Sequence, residues 1–301
     1  MSKIQFTGIM PAMITPVGAD GHILKGTVKA LVEAQLAAGV TGFYTTGSTG
    51  EGVLLSRQQR REMVEAAVEA NAGRGKVIAQ VGAISQEESV ELAKEAAAIG
   101  VDGISSIVPT LYFKYNFDEV ADYYRKIADA APSLPLLLYA QPNGVAADVN
   151  RLVEELISVP NIIGAKDTRA NYYQMWRLKQ LNGGDINIIN GPDEMLICGL
   201  CMGADGGIGS TYNLMPERYV RLYNAFRAGD LAAARAEQTQ INRIIEVALN
   251  HGKGYVIRTI KNSLRMSGYD TGVPVAPSRE MTADEVAAFR KDMLAIGYQY
   301  P

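Results

Sequence analysis

At 301 residues, with 29 basic and 32 acidic side chains and a net charge of -3, the chain is long enough to bury a large core and offers no basic face for nucleic acid or anionic lipid. No apolar run is long enough to span a bilayer, and Met1 to Gly21 is broken by Pro11 and Pro16 without the layout of a secretory signal, so a soluble cytoplasmic protein is expected. The only histidines are His22 and His251, and no acidic cluster has ligand spacing, which argues against a zinc site and most histidine acid–base schemes.

Taken in chain order, the pattern alternates strand with helix. Ile4 to Ile14 is strand-like and Lys25 to Ala38 an amphipathic helix. Gly42 to Thr46 is a strand, and a helix from Arg57 opens on a capping box of Ser56 with Gln59. Lys76 to Val81 is the third strand, with Ser85 and Glu88 capping the helix after it. Gly103 to Val108 leads to a helix capped by Asn116 with Glu119; Pro135 to Tyr139 is the fifth strand and Asn150 to Ser158 its helix. The sixth strand ends at Lys166, followed by a helix around Tyr172 to Leu181. Ile186 to Asn190, a helix within Glu194 to Gly203, Asp205 to Ile208 and a helix from Pro216 to Ala228 complete the series. Cys198 and Cys201 form a Cys-x-x-Cys in that apolar helical stretch and are expected as buried small hydrophobes rather than as a redox or metal pair. Eight strand-then-helix units predict an α/β protein, a closed (β/α)8 TIM barrel over residues 1–229. Residues 230–301 read as a C-terminal helical extension packed on it, with helices over Leu231 to Asn250, near Tyr255 to Met266, and after a cap of Thr282 with Glu285.

In such a barrel the chemistry lies at the C-terminal ends of the strands. The apolar run Ile162 to Ala165 has no wet face, so Lys166 stands at the end of a buried strand. It is either a rim cation whose stem lies on apolar surface or an amine kept dry enough to be neutral near pH 7. The second strand ends in Thr46-Gly47-Ser48-Thr49-Gly50-Glu51-Gly52, a turn able to aim several N–H groups at one anion, although a ligand-free tight turn needs the same glycines. It matches neither a P-loop nor a dinucleotide fingerprint. Tyr139 ends the strand beside that of Lys166, as a packing residue or a proton shuttle. Asp193 and Glu194 follow the seventh strand, where helix capping is the plain explanation, and Gly203 to Thr211 after the eighth is glycine-rich enough to cradle a phosphate. Lysine, phenol, anion turn and no metal together suit one chemistry: the amine condenses with a ketone to an iminium, which draws electrons from the adjacent carbon.

With Gly47 to Glu51, Tyr139, Gly164 to Thr168 and Gly203 to Asn213, the chain resembles the N-acetylneuraminate lyase and dihydrodipicolinate synthase superfamily over nearly its whole length. The resemblance implies a class I aldolase forming pyruvate without a cofactor, a homotetramer whose partners are small 2-keto acids. It makes Lys166 the Schiff-base residue and Tyr139 the proton shuttle, with Ser48 and Thr49 on the pyruvate carboxylate. Pro142 is followed by Asn143-Gly144-Val145 where the synthase branch carries an arginine, and the segments around Gly191 and Ser210 are similar to the lyase branch. There Thr168, Gly191, Asp193, Glu194 and Ser210 would meet the hydroxyls of a sialic acid, the alternative being an aldolase or dehydratase of 2-keto-3-deoxy sugar acids. Leu111 and Pro192 stand at positions that are aromatic in many members.

Overall fold

The computed structural model describes residues 2–3, 5–108, 113–141 and 148–300. Pro109 to Tyr112, including Leu111, and Pro142 to Val145 lie outside the described residues, as does Ile4 at the expected start of the first strand. Eight parallel strands alternate with eight helices. The strands are β1 (Gly8–Pro11), β2 (Gly42–Thr45), β3 (Lys76–Gln80), β4 (Gly103–Ser106), β5 (Leu136–Ala140), β6 (Ile162–Asp167), β7 (Asn187–Asn190) and β8 (Gly206–Gly209). They pair in the order β1-β8-β7-β6-β5-β4-β3-β2. The remaining seam is joined by Thr41 N donating to Ile9 O at 2.9 Å and Met13 N to Tyr44 O at 2.9 Å, with a parallel bridge between Ala12 and Tyr44. The sheet thereby closes on itself and has no long free edge to protect.

The helices are α1 (Lys25–Ala37), α2 (Arg57–Asn71), α3 (Gln86–Ile99), α4 (Phe117–Ala130), α5 (Val149–Leu156), α6 (Tyr172–Lys179), α7 (Leu196–Cys201) and α8 (Pro216–Arg227). Local sequence sets their starts. The boxes of Ser56 with Gln59 and Asn116 with Glu119 are both formed, and Ser85 accepts from Glu88 N. Each such cap satisfies donors that a helix start leaves open, worth about 1 kcal/mol. Helix α5 begins one residue before the expected Asn150, because Asp148 accepts from the amides of Asn150 and Arg151.

Side chains divide into two apolar layers. Met10, Tyr44, Ile78, Leu137, Ile163, Ile189 and Ile208 fill the inside of the barrel, and a larger cluster lies between the strands and their helices. Cys198 and Cys201 are exposed, against the expectation of burial. Helix α7 turns Leu196, Gly199 and Leu200 inward, and residues two and five places after Leu196 fall on its outer face.

Three more helices follow: α9 (Leu231–Gly252), α10 (Val256–Met266) and α11 (Ala283–Ala295), the last with its Thr282 and Glu285 box formed. Gln238 of α9 donates to Asp193 O at 3.2 Å and accepts from Ile197 N at 3.1 Å, which ties this helix to the segment after β7. No helix among the described residues is long and apolar enough to cross a membrane.

Candidate active site

Strand β6 decides which way the lysine points. Its pairing with β5 runs Leu136 to Ile162, then jumps to Leu137 opposite Gly164, so one extra residue enters β6. Gly164 holds a φ of 154°, and a Cβ there would lie 2.0 Å from Asn187 O on β7. Successive strand residues face opposite ways, and an inserted residue resets the count. Ile163 faces the barrel interior, Ala165 the helices, and Lys166 the interior again. Uninterrupted alternation from Ile163 would have put Ala165 inside and Lys166 against the helices.

Beyond that step Tyr139 and Lys166 are paired neighbours. Lys166 Nζ lies 4.4 Å from the ring centroid of Tyr139 and 4.3 Å from that of Tyr44, whose rings meet edge to face at 6.3 Å. The lysine is only 5% exposed, so its amine is held between two π faces that attract a cation in a largely dry site. Among the described residues it forms no ion pair. Asp167, on the opposite face of the strand, is bound instead by Arg169 through Nε at 2.9 Å and Nη2 at 2.8 Å. This removes Asp167 as a partner for Lys166.

Burial opposes ionisation of the Tyr139 phenol, yet the Lys166 charge and the polar groups of Gln141, Ser48 and Thr168 outweigh it, and its pKa falls below the ordinary tyrosine value. Thr168 Oγ1 is close enough to contribute but, among the described residues, is buried with no hydrogen bond of ordinary geometry. Gly191 permits that approach, since a Cβ there would meet Thr168 Oγ1 at 2.1 Å.

The turn after β2 is wound tightly around Ser48 and Thr49. Gly52 N donates to Gly47 O at 3.0 Å and Glu51 N to Ser48 O at 3.1 Å, while Thr15 Oγ1 donates to Gly50 O at 2.6 Å. Thr46 and Glu51 at its two ends have left-handed backbones, with φ of 52° and 57°. Among the described residues no hydrogen bond uses the amides of Ser48 and Thr49, which leaves both available to an anion. Gln141 Nε2 reaches Ser48 Oγ at 3.3 Å and links the turn to the end of β5.

Asp193 is 7% exposed, and its Oδ2 accepts from Thr211 N and Thr211 Oγ1, both at 2.6 Å, and from Ser210 Oγ at 3.2 Å. Burial raises its pKa despite the Thr211 hydrogen bonds and the Lys166 charge. It makes no side-chain helix cap, so capping does not explain it; Glu194 beside it is exposed. The glycines of Gly203 to Thr211 prove to make room for side chains. A Cβ on Gly209 would lie 2.0 Å from Asp193 Oδ1, and one on Gly207 2.3 Å from the Tyr212 hydroxyl. The buried Asp193 carboxyl packed against that loop would repel a phosphate once ionised, which counts against the cradle reading.

Lys166, Tyr139, Ser48 and Thr168 are thus brought together around the phenol, and Asp193 with Ser210 forms a second group next to it. Sequence reasoning missed Tyr44, whose signal is its place two residues before Thr46 on the inward face of β2. It also missed Arg60, buried with hydrogen bonds to Gln80 O at 2.6 Å and Gly82 O at 3.0 Å and held by burial at a pKa of about 10.

The model of the dihydrodipicolinate synthetase family matches residues 5–295. The chain is 36% identical over 255 residues to an N-acetylneuraminate lyase of Citrobacter koseri, covering 84% of this chain and 85% of that one. Among solved structures, a catalytic-lysine mutant of Ruminococcus gnavus sialic acid aldolase superposes with a TM-score of 0.92 at 30% identity, covering 97% and 96% of the two chains. Proteus mirabilis N-acetylneuraminate lyase superposes with 0.91 at 29% identity, covering 98% and 100%.

Proposed function

Since the chain belongs to the dihydrodipicolinate synthetase family, we propose that it is a class I, Schiff-base aldolase that cleaves N-acetylneuraminate to N-acetylmannosamine and pyruvate. The observation that carries the reading is the buried amine of Lys166 against the Tyr139 ring, with Tyr139 depressed in pKa by that amine. Lys166 attacks the C2 ketone of the open-chain sugar acid, and loss of water leaves an iminium. A base takes the proton of the C4 hydroxyl, and the C3–C4 electron pair flows into the iminium to give an enamine and the free aldehyde. Protonation of the enamine carbon and attack by water release pyruvate and restore the lysine. Tyr139, assisted by the substrate carboxylate, carries these protons; a phenol easier to ionise than usual suits the task.

Ser48 and Thr49 hold the keto-acid carboxylate, and Thr168, Gly191, Asp193, Glu194 and Ser210 meet the sugar hydroxyls. The proposal needs no cofactor. It takes the protein as a cytoplasmic homotetramer, a reading supported by Val53, Leu54, Ile84 and Phe113, exposed apolar residues in the loops after β2, β3 and β4 that a second copy would cover. Product identification tests the substrate: incubation with N-acetylneuraminate is expected to yield N-acetylmannosamine and pyruvate. Turnover of 2-keto-3-deoxygluconate with none of the sialic acid would overturn the substrate and favour the sugar-acid aldolase or dehydratase.

A further inference from the structure

Glu51 ends the turn that carries Ser48 and Thr49, yet every group its carboxylate binds comes from 204 to 224 residues further along the chain. Oε1 accepts from the Tyr255 hydroxyl at 2.7 Å and from Val275 N at 2.8 Å. Oε2 accepts from Lys261 Nζ at 2.6 Å, and that amine also donates to Val273 O at 2.9 Å. The side chains of Glu51 and Lys261 are both 0% exposed. Left to itself the turn would relax, since Glu51 carries the left-handed φ of 57° that disfavours a side chain. A Cβ on the next residue, Gly52, would meet Thr46 O at 1.9 Å, so the turn closes this tightly only with glycine there. A buried ion pair often stabilises a fold no better than apolar side chains of the same size, so stability alone does not account for this one.

We infer that the C-terminal helices hold the carboxylate-binding turn in shape through Glu51, which makes Lys261 and Tyr255 positioning residues for the 2-keto acid. The inference rests on the proposed function, because it assumes that the Ser48 and Thr49 turn receives the keto-acid carboxylate. None of the three residues touches the reacting atoms. Their loss is therefore expected in capture of the keto acid, before the carbon–carbon bond is broken.

The test compares Glu51→Gln, Lys261→Met, the double variant and Tyr255→Phe in thermal unfolding, in the pyruvate concentration needed for half-maximal borohydride trapping, and in kcat and KM for N-acetylneuraminate. Each single change in the ion pair leaves one buried group uncompensated and lowers the melting temperature, and the double variant recovers it. The double variant is expected to keep about a tenfold higher KM and trapping midpoint with kcat within about threefold of wild type. Tyr255→Phe, which removes one hydrogen bond and no charge, is expected to raise both by about threefold, with a smaller drop in melting temperature than either single ion-pair variant. A double variant whose KM recovers along with its melting temperature would make the pair a structural staple and overturn the inference. So would a Tyr255→Phe protein with unaltered midpoint, which decides the matter if the ion-pair variants do not fold. Wild-type protein that traps no 2-keto acid at all would defeat the proposed function itself, and the inference with it.

Discussion

On the β5–β6 side of the barrel mouth the Lys166 amine lies between two rings, and Thr168 Oγ1 is buried without a hydrogen bond of ordinary geometry among the described residues. On the β7–β8 side Asp193 Oδ2 is already held, taking three hydrogen bonds from Ser210 and Thr211. An amine and a hydroxyl without partners are free to meet a ligand, whereas a carboxylate oxygen that already holds three hydrogen bonds is fixed in place. The proposed bond making lies on the first side. The second side, carrying Asp193 and Glu194, is suited to selecting the rest of the substrate.

The comparison can be broken most severely at Lys166. Replacement by Ala should leave a folded protein with kcat below about a thousandth of wild type, since the proposed nucleophile is gone. Circular dichroism with steady-state assay checks both halves. Gly164→Ala comes next: the clash with Asn187 O should cost about 3 kcal/mol in urea unfolding and turn Lys166 out of line, with activity falling further than stability. Loss of stability with kcat retained in the folded fraction would show that the irregularity in β6 does not orient the lysine.

Tyr139→Phe should lower kcat by about a hundredfold while leaving borohydride trapping intact. Its ionisation can be followed directly. Spectroscopic titration should reveal one phenol ionising below the ordinary tyrosine range in wild type, absent in Tyr139→Phe and displaced upward in Lys166→Met, because the cation that favours the phenolate is gone.

The smallest effect belongs to the opposite wall. The pKa of Asp193 is raised in the folded protein, so its contribution to stability is present below the unfolded carboxylate pKa and is lost as pH rises through the folded one. Wild type should therefore lose stability relative to Asp193→Asn on going from acid to neutral pH. A difference that grows in the other direction would show the carboxylate to be a stabilising anion.

Much of this was readable along the chain because it is local. Ser56 with Gln59, Asn116 with Glu119 and Thr282 with Glu285 are contacts three residues apart, and all three close as their spacing implies. The inward turn of Lys166 was not readable: Ile162, Ile163, Gly164 and Ala165 are all apolar, so the strand has no polar face from which to count, and the register jump leaves no mark in composition. Nor was the link from Glu51 to Lys261, since a pair 210 residues apart depends on how the finished helices dock. Cys198 and Cys201 were misjudged because an apolar stretch was taken as buried all round, whereas a short helix on the outside of a barrel buries one side.

The central claim is that the residue inserted in β6 delivers a reactive amine to the inside of the barrel. Incubation with pyruvate and borohydride, followed by peptide mapping, tests it directly. The account predicts one reduced adduct, on the peptide carrying Lys166, and none on Lys166→Ala. An adduct on another lysine, or equal labelling of the two proteins, would contradict it.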